Sequence, residues 1–332
     1  MFNLEGLEPN KVSKDLSSYT SLIYGVPKIG KTTFAYKMFG KRALLLGFER
    51  GYKALAGVMA VDITKWSELA KLNQDLKKPS VREKFDVLVI DTTDLMDKLA
   101  KQYILQQNGI DDMGGLPYGK AYDLKDELIF NMLKKWQDMG YGLMFISHAK
   151  ETTITVKQDG KEVEITKYQP SLERRTLGIV SKMCDIIGFA YLKQNEETTE
   201  EERVLFLRES LRVQAGTRFT YMVDSVPLKV EDFNKALADA IAKEEEVNPD
   251  SVTEEKVGAV VDFALNFDEI MENIVNLVKT KFAPSGHMEE VTTIVEKHMG
   301  KGAKVIEATS NQVQACDIIL TELESKVQDL GL

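Results

Sequence analysis

The sequence has little cysteine and histidine. Of its 332 residues, two are cysteine and three are histidine. Cys184 and Cys316 lie far apart in the chain, each within an apolar stretch, which is typical of buried thiols rather than of disulfides or metal ligands. We therefore expect neither a disulfide framework nor a metal site built from Cys and His.

Long apolar runs are also missing. No run approaches the ~18 apolar residues that a membrane-spanning helix needs. The opening stretch "MFNLEGLEPNKVSKD" lacks the basic-then-apolar pattern of a secretory signal. The sequence therefore predicts a cytoplasmic protein without a membrane partner.

Basic residues are in deficit, with 43 Lys and Arg against 52 Asp and Glu, a formal charge of -9. This balance argues against a broad basic surface for nucleic acid. A local basic patch remains compatible with it.

Short apolar runs alternate with helical patterns between residues 19 and 150. This alternation is typical of a parallel sheet with helices on its faces, so the predicted class is α/β. After His148, two alternating runs flank Asp159-Gly160 and predict a β-hairpin that projects from the core. The pattern after the hairpin predicts a helix and then further strands.

The chain divides by composition into three parts. We predict a main α/β domain over residues 1–240, an acidic linker over 241–256 broken by Pro249, and a small helical domain over 257–332. In the helical domain, Ser310 or Asn311 is the expected cap of the last helix.

The stretch "GVPKIGKT" matches the phosphate-binding pattern G-x-x-x-x-G-K-[ST] in full, between an apolar strand and a helix. In this context, successive backbone N–H groups and the helix N-terminus converge on phosphate oxygens. Lys31 can bridge the β- and γ-phosphates, and Thr32 can ligate Mg²⁺. The expected ligands are ATP and Mg²⁺, and the expected nucleotide-binding residues are Gly25, Val26, Pro27, Lys28, Ile29, Gly30, Lys31, Thr32 and Thr33.

Asp91 ends the apolar run "DVLVID" and is the expected Mg²⁺ carboxylate. Many ATPases have a water-activating glutamate immediately after this aspartate, but here the position is Thr92. If "ALLLGF" lies beside the P-loop strand, Glu49 at its carboxyl end points into the same crevice. Asp94 is the rival, with helix capping as its ordinary role, and Glu49 could instead pair with Arg50 or Lys53 at the surface.

Four segments, "GVPKIGKTT", "LLLGFERG", "LVIDTTD" and "MFISHAKE", together resemble the RecA-type ATPase core in the short form found in phages. They are similar to the Sak-type single-strand annealing ATPases, over roughly residues 18 to 228. The stretch "GLPYGKAYDLKDEL" also looks like those proteins. The resemblance implies that Glu49 activates water and His148 senses the γ-phosphate, although a strand-end histidine satisfied by its neighbours is an equal alternative. It also implies a homo-oligomer, a ring or filament, in the host cytoplasm if the protein is phage-encoded.

RecA-like ATPases hydrolyse ATP at a subunit interface, where a basic residue comes from the neighbour. Arg212 and Arg218 are the candidates, and Arg218 is preferred because the preceding glycine indicates an exposed turn. Single-stranded DNA would contact the segment after His148, with a solvated hairpin as the plain alternative. The candidate DNA-binding residues are Lys150, Lys157, Lys161, Lys167, Tyr168, Arg174 and Arg175.

The sequence thus predicts an ATPase that acts on single-stranded DNA in annealing or recombination, with a single-strand binding protein as a candidate partner. A helicase-type or helicase-loading ATPase is the alternative, and a nucleotide-gated binding module with slow turnover is a third.

Overall fold

The computed structural model describes residues 9–158, 161–194, 200–257 and 267–332. These residues separate into two compact units, with the division between residues 257 and 267. None of the helices within these ranges is long and apolar enough to cross a membrane.

The first unit is built on a ten-stranded sheet. Its strands, together with a separate two-stranded pair (β1 and β12), are β1 Val12–Ser13, β2 Ser21–Gly25, β3 Ala43–Gly47, β4 Ala60–Asp62, β5 Val87–Asp91, β6 Gly142–Gln158, β7 Lys161–Pro170, β8 Ile186–Gln194, β9 Glu201–Phe206, β10 Gly216–Thr217, β11 Ser225–Pro227 and β12 Val252–Thr253. Its helices are α1 Lys31–Phe39, α2 Glu68–Leu76, α3 Pro79–Arg82, α4 Thr93–Asn108, α5 Lys120–Asp138, α6 Arg174–Met183 and α7 Val230–Val247.

The central strands run parallel in the order β8-β2-β6-β5-β3-β4, and β9 and β11 continue the sheet antiparallel beyond β8. The parallel strands are apolar throughout because helices cover both faces of the sheet. One face packs against α2, α4 and α5 around Trp136, and the other packs against α1 and α7 around Phe34 and Phe233. The predicted α/β class, a mainly parallel sheet flanked by helices, is confirmed.

The hairpin prediction is confirmed in its strands: β6 and β7 pair antiparallel from Ala149↔Pro170 to Gln158↔Lys161. The predicted turn at Asp159-Gly160 lies outside the described residues. Beyond His148, β6 pairs with β7 and no longer with the parallel strands, because the register between β2 and β6 ends at Gly25↔His148. The hairpin therefore extends beyond the carboxyl edge of the sheet.

A buried lysine ties the base of the hairpin to the helices. Lys125 of α5 is fully buried, and its Nζ donates to Asp97 Oδ1 at 2.6 Å and to Thr176 Oγ1 at 3.1 Å. It also pairs with Glu173, the residue before α6. Since α6 follows the hairpin directly, this ion cluster fixes the end of β7 against α4 and α5.

The linker predicted over 241–256 is wrong at its boundaries. Helix α7 continues to Val247 with Ile241 in the core, and β12 pairs with β1 in the same unit. The three glutamates from residue 244 lie on the outer surface of this helix, so their charge weakens the apolar signal without breaking the helix. The chain leaves the helix at Asn248, before Pro249.

The second unit is helical, as predicted for the C-terminal region. It consists of α8 Phe267–Leu277, a π-helical turn Val278–Phe282, α9 Ala283–Ser285, α10 Met288–Met299 and α11 Val313–Leu330. Its core contains Ile274, Phe282, Val295, Cys316 and Ile319. Both cysteines of the chain are free and buried, in agreement with the sequence.

A capping box precedes the last helix, and its N-cap residue, Thr309, lies one or two residues before the predicted caps. The Thr309 side chain accepts a hydrogen bond from the backbone N–H of Gln312, and the Gln312 side chain accepts one from the backbone N–H of Thr309. Ser310 and Asn311 lie inside the resulting 3-10 turn, so neither is the cap.

Candidate active site

The P-loop joins β2 to α1 at the carboxyl edge of the sheet. Gly25 ends β2 so close to β8 that an added Cβ would lie 2.4 Å from the Ala190 carbonyl oxygen. Gly30 adopts φ 114° immediately before α1, a conformation that favours glycine. Steric constraints therefore explain why both motif positions are glycine. In a loop of this kind, the backbone N–H groups face the space above the sheet edge, where a phosphate would bind.

Lys31 begins α1 and is buried. Its Nζ donates to the carbonyl oxygens of Gly25 at 3.0 Å and Val26 at 2.9 Å. Burial lowers the pKa of Lys31, and the carboxylates of Asp91, Glu49 and Asp94 oppose that shift. The ammonium group thus sits between its own loop and three acidic side chains.

Asp91 ends β5 and is 1% exposed. Its Oδ2 accepts a hydrogen bond of 2.7 Å from Thr32 Oγ1, while Oδ1 is buried without a partner among the described residues. Burial raises the pKa of Asp91 to about 6, the hydrogen bond from Thr32 opposes this, and the charge of Glu49 adds to it. A buried carboxylate oxygen without a partner, beside a hydroxyl, fits a hard divalent cation such as Mg²⁺.

Glu49 reaches this site by a different route from the one predicted. Its strand, β3, does not lie beside the P-loop strand: β5 and β6 separate β3 from β2. Instead, the backbone N–H groups of Phe48 and Glu49 both donate to the Asp91 carbonyl oxygen, at 2.7 and 3.2 Å. The loop after β3 is therefore fixed against the loop after β5, which places Glu49 next to Asp91.

The surface pairing considered for Glu49 does not occur. Arg50 Nε lies 3.0 Å from Asp62 Oδ2, at the end of the neighbouring strand β4. Glu49 is half-buried and has no ion pair within the part of the chain that the structure describes. Its carboxylate remains available to a bound molecule.

Asp94 and His148 form a pair beside these groups. His148 ends the core part of β6 in register with Gly25, and its Nδ1 lies 3.0 Å from Asp94 Oδ2. Asp94 lies in the first turn of α4, but its side chain makes no capping hydrogen bond there. Its Oδ1 is buried without a partner among the described residues. His148 thus has a side-chain partner, as expected for a strand-end histidine, and it also lies at the crevice, as expected for a residue that senses the γ-phosphate. The geometry is compatible with both interpretations.

The structure gathers five predicted residues at one edge: Lys31, Thr32, Glu49, Asp91 and His148. It places Arg218 at the other end of the sheet. Arg218 Nη1 lies 2.8 Å from Asp185 Oδ1, and its backbone N–H donates to the Asp185 carbonyl. Asp185 precedes β8 at the amino end of β2, so Arg218 cannot reach the P-loop of its own subunit. Its role toward a neighbouring subunit stays a prediction.

The basic residues proposed for DNA do not form one surface. Lys157 projects from the opposite face of the hairpin to Lys150, Lys161 and Lys167. Arg175 is held by Asp123 and Asp126 of α5, and Lys167 pairs with Glu209. The Tyr168 ring is half-buried in an aromatic cluster, 5.1 Å from the Phe189 centroid.

The chain is similar to several known proteins. A family model described as an AAA domain matches residues 17–219, more than half of the chain. The SPbeta prophage-derived uncharacterized protein YorG of Bacillus subtilis (strain 168) is 30% identical over 326 residues, which cover 94% of this chain and 95% of that protein. Among solved structures, a KaiC-like protein from the hyperthermophilic archaeon Pyrococcus horikoshii OT3 covers 63% of this chain and 92% of that chain, at 14% identity and a TM-score of 0.34.

The family match contains the P-loop, Glu49, Asp91 and His148, all of which meet at the carboxyl edge of the sheet. The relative matches both units of the chain nearly from end to end. The chain therefore belongs to the AAA-domain family of P-loop NTPases.

Proposed function

We propose that the protein hydrolyses ATP and uses the cycle to act on single-stranded DNA. The observation that carries the first half is the convergence of Lys31, Asp91 and Glu49 on one crevice above the P-loop. When ATP enters, Lys31 exchanges the Gly25 and Val26 carbonyls for β- and γ-phosphate oxygens. Asp91 and Thr32 would hold Mg²⁺, which would supply positive charge to the phosphates.

Glu49 is the proposed water-activating residue. It is the one carboxylate of the crevice that neither bonds to Thr32 nor pairs with His148. Its backbone is fixed to Asp91, so the distance between base and metal site is set by the fold. Asp94, the rival, instead orients His148, and this pair lies where the γ-phosphate would be sensed.

The second half of the proposal rests on the hairpin. The register divides its side chains into a lysine face, which has no acidic residue, and an acidic face. The lysine face comprises Lys150, Thr152, Ile154, Val156, Gln158, Lys161, Val163, Ile165, Lys167 and Gln169. The acidic face comprises Glu151, Thr153, Thr155, Lys157, Glu162, Glu164, Thr166 and Tyr168. The mixed charge of the sequence is thus sorted in space, and the lysine face is the one that suits a phosphate backbone.

We also propose a role in DNA contact for an exposed aromatic ring that precedes α5. Tyr118 is 104% exposed and adopts φ 57°, an uncommon conformation for a bulky residue. It precedes α5, whose residues Asp123 and Asp126 hold Arg175 at the start of α6, directly after the hairpin. Aromatic rings presented beside lysines stack on the bases of single strands. The stretch "GLPYGK" thereby gains a proposed role in DNA contact, and Arg174, the first residue of α6, stays a candidate.

Annealing or recombination is the proposed process, in line with the sequence resemblance and with a relative named as prophage-derived. A phage-encoded protein of this kind would work in the host cytoplasm, as a homo-oligomer on single-stranded DNA and beside a single-strand binding protein. Arg218 is then a candidate for the residue that one subunit supplies to the next.

The two faces of the hairpin give a matched test. Lys161→Gln and Lys157→Gln each remove one exposed lysine near the hairpin end, from opposite faces. We expect Lys161→Gln to weaken binding of a fluorescent oligo(dT) and to reduce the slope of log K against log[salt] by about 0.7, the value of one phosphate contact on a single strand. Lys157→Gln should leave affinity and slope unchanged, since Glu162 lies directly opposite it.

Equal losses in the two variants would show that the lysine face is not the interface. An affinity of the wild-type protein that does not change with salt would remove the DNA half of the proposal.

A further inference from the structure

An arginine outside every predicted motif lies over the P-loop. Arg203 is on β9, which pairs antiparallel with β8, and it is opposite Leu192 in that register. Two residues nearer the core, Leu205 pairs with Ala190, and both pack in the cluster that contains Phe34 of α1. Because side chains alternate along a strand, Arg203 points to the same side as Leu205, the side of α1 and its N-terminus.

The contact with the loop is close. A Cβ added at Gly30 would lie 3.7 Å from Arg203 Nη1, and no other atom lies within 4 Å of that position. Gly30 is the last loop residue before Lys31 and the N-cap of α1. The guanidinium group thus occupies the space that a side chain at Gly30 would enter, beside the loop that would surround a phosphate.

The Arg203 side chain has no hydrogen bond or ion pair within residues 9–158, 161–194, 200–257 and 267–332. The other arginines of the same strand region differ from it: Arg208 donates to the backbone carbonyls of Phe219, Thr220 and Met222. An exposed guanidinium that no carboxylate neutralises presents its planar set of donors to an incoming anion.

We propose that Arg203 is a further phosphate-binding residue of this site, which contacts the α- and β-phosphates of the bound nucleotide. The proposal rests on the P-loop function given above. The loop amides cradle the α- and β-phosphates while the motif lysine reaches the β- and γ-phosphates, and the loop residue that Arg203 Nη1 approaches is Gly30. It therefore holds the part of the nucleotide that ADP and ATP share.

This position separates binding from chemistry. Loss of Arg203 removes interactions that are the same before and after the γ-phosphate is cleaved, so KM rises and kcat is unchanged. A charge-assisted hydrogen bond lost without replacement corresponds to a loss of affinity of about 10- to 100-fold.

The test compares Arg203→Gln with Lys193→Gln in the full-length protein. Lys193 is an exposed lysine of β8 at almost the same height but on the other side of the sheet, since it pairs with Glu202. ADP affinity is measured by titration calorimetry, ATP turnover gives KM and kcat, and thermal unfolding confirms that each variant is folded.

We expect Arg203→Gln to weaken ADP binding and raise the KM for ATP by the same factor of about 10 or more, with kcat retained. Lys193→Gln should match the wild type, and Arg203→Lys should recover part of the affinity because it restores the charge but not the planar donors.

Unchanged ADP affinity in Arg203→Gln overturns the proposal, as does an equal loss in Lys193→Gln, which would indicate only long-range charge. A loss for ATP without a loss for ADP would place the contact at the γ-phosphate and contradict the assignment. If the wild type itself binds neither nucleotide, the proposed function fails instead, independently of Arg203.

Discussion

Replacing Glu49 with Gln is expected to reduce ATP turnover by about 10²- to 10⁴-fold, the range attributed to a positioned general base. The amide keeps the shape of the side chain but cannot take a proton from water. Nucleotide binding should persist, because Glu49 carries like charge to the phosphates and adds nothing to their affinity. Turnover is measured by phosphate release, and binding by the fluorescence of a labelled ATP analogue.

Two other carboxylates control this experiment. Asp62 lies at the same sheet edge but is held by Arg50 and Tyr52, so Asp62→Asn should leave turnover within a few-fold of wild type. Asp94→Asn disturbs the His148 pair and tests the rival. If Asp94→Asn abolishes turnover and Glu49→Gln does not, the water-activating role belongs to Asp94.

Replacing Lys31 with Ala is expected to lower turnover by about 10²- to 10³-fold, the range for removal of one preorganised donor to a transition state. Nucleotide affinity should fall as well, because Lys31 is the buried cation that faces Asp91, Glu49 and Asp94. Without it, three acidic side chains meet an incoming polyphosphate with no lysine between them.

The matched control is Lys37→Ala, an exposed lysine two turns further along α1. It tests whether any loss of positive charge from this helix has the same effect. Affinity and turnover should both stay near the wild-type values. Retention of full turnover in Lys31→Ala would exclude the P-loop as the catalytic site.

Local patterns predicted the elements of this site well. The P-loop, the Asp91 strand and the paired strands of the hairpin each lie within one short, continuous stretch of the chain, and each is found where the sequence predicts it. Their signals are steric or periodic: glycines at positions where Cβ has no room, and apolar runs for a sheet covered on both faces.

Long-range pairing was harder to predict. The sequence does not reveal that β5 and β6 lie between β2 and β3, so the predicted route of Glu49 to the crevice was wrong even though the residue lies near Asp91. Nor does it give the register of β6 with β7, which decides that Lys157 and Lys161 face opposite ways. A shift of one residue would exchange the two faces.

The positions of Arg203 and Arg218 also depend on long-range pairing. Arg218 lies two residues after Gly216 and is exposed as predicted, but Asp185, 33 residues away, holds it at the amino end of the sheet. Arg203 has no local motif, and only the pairing of β9 with β8 and of β8 with β2 brings it to the P-loop. Neither placement follows from the neighbouring residues of the chain.

The central claim is that ATP hydrolysis at the P-loop is coupled to single-stranded DNA through the hairpin after His148. The most direct measurement is the rate of phosphate release from ATP and Mg²⁺ by the full-length protein, with and without an oligo(dT) strand. The account predicts turnover that rises several-fold with the single strand and does not rise with a blunt duplex. Turnover that is the same under all three conditions would contradict it.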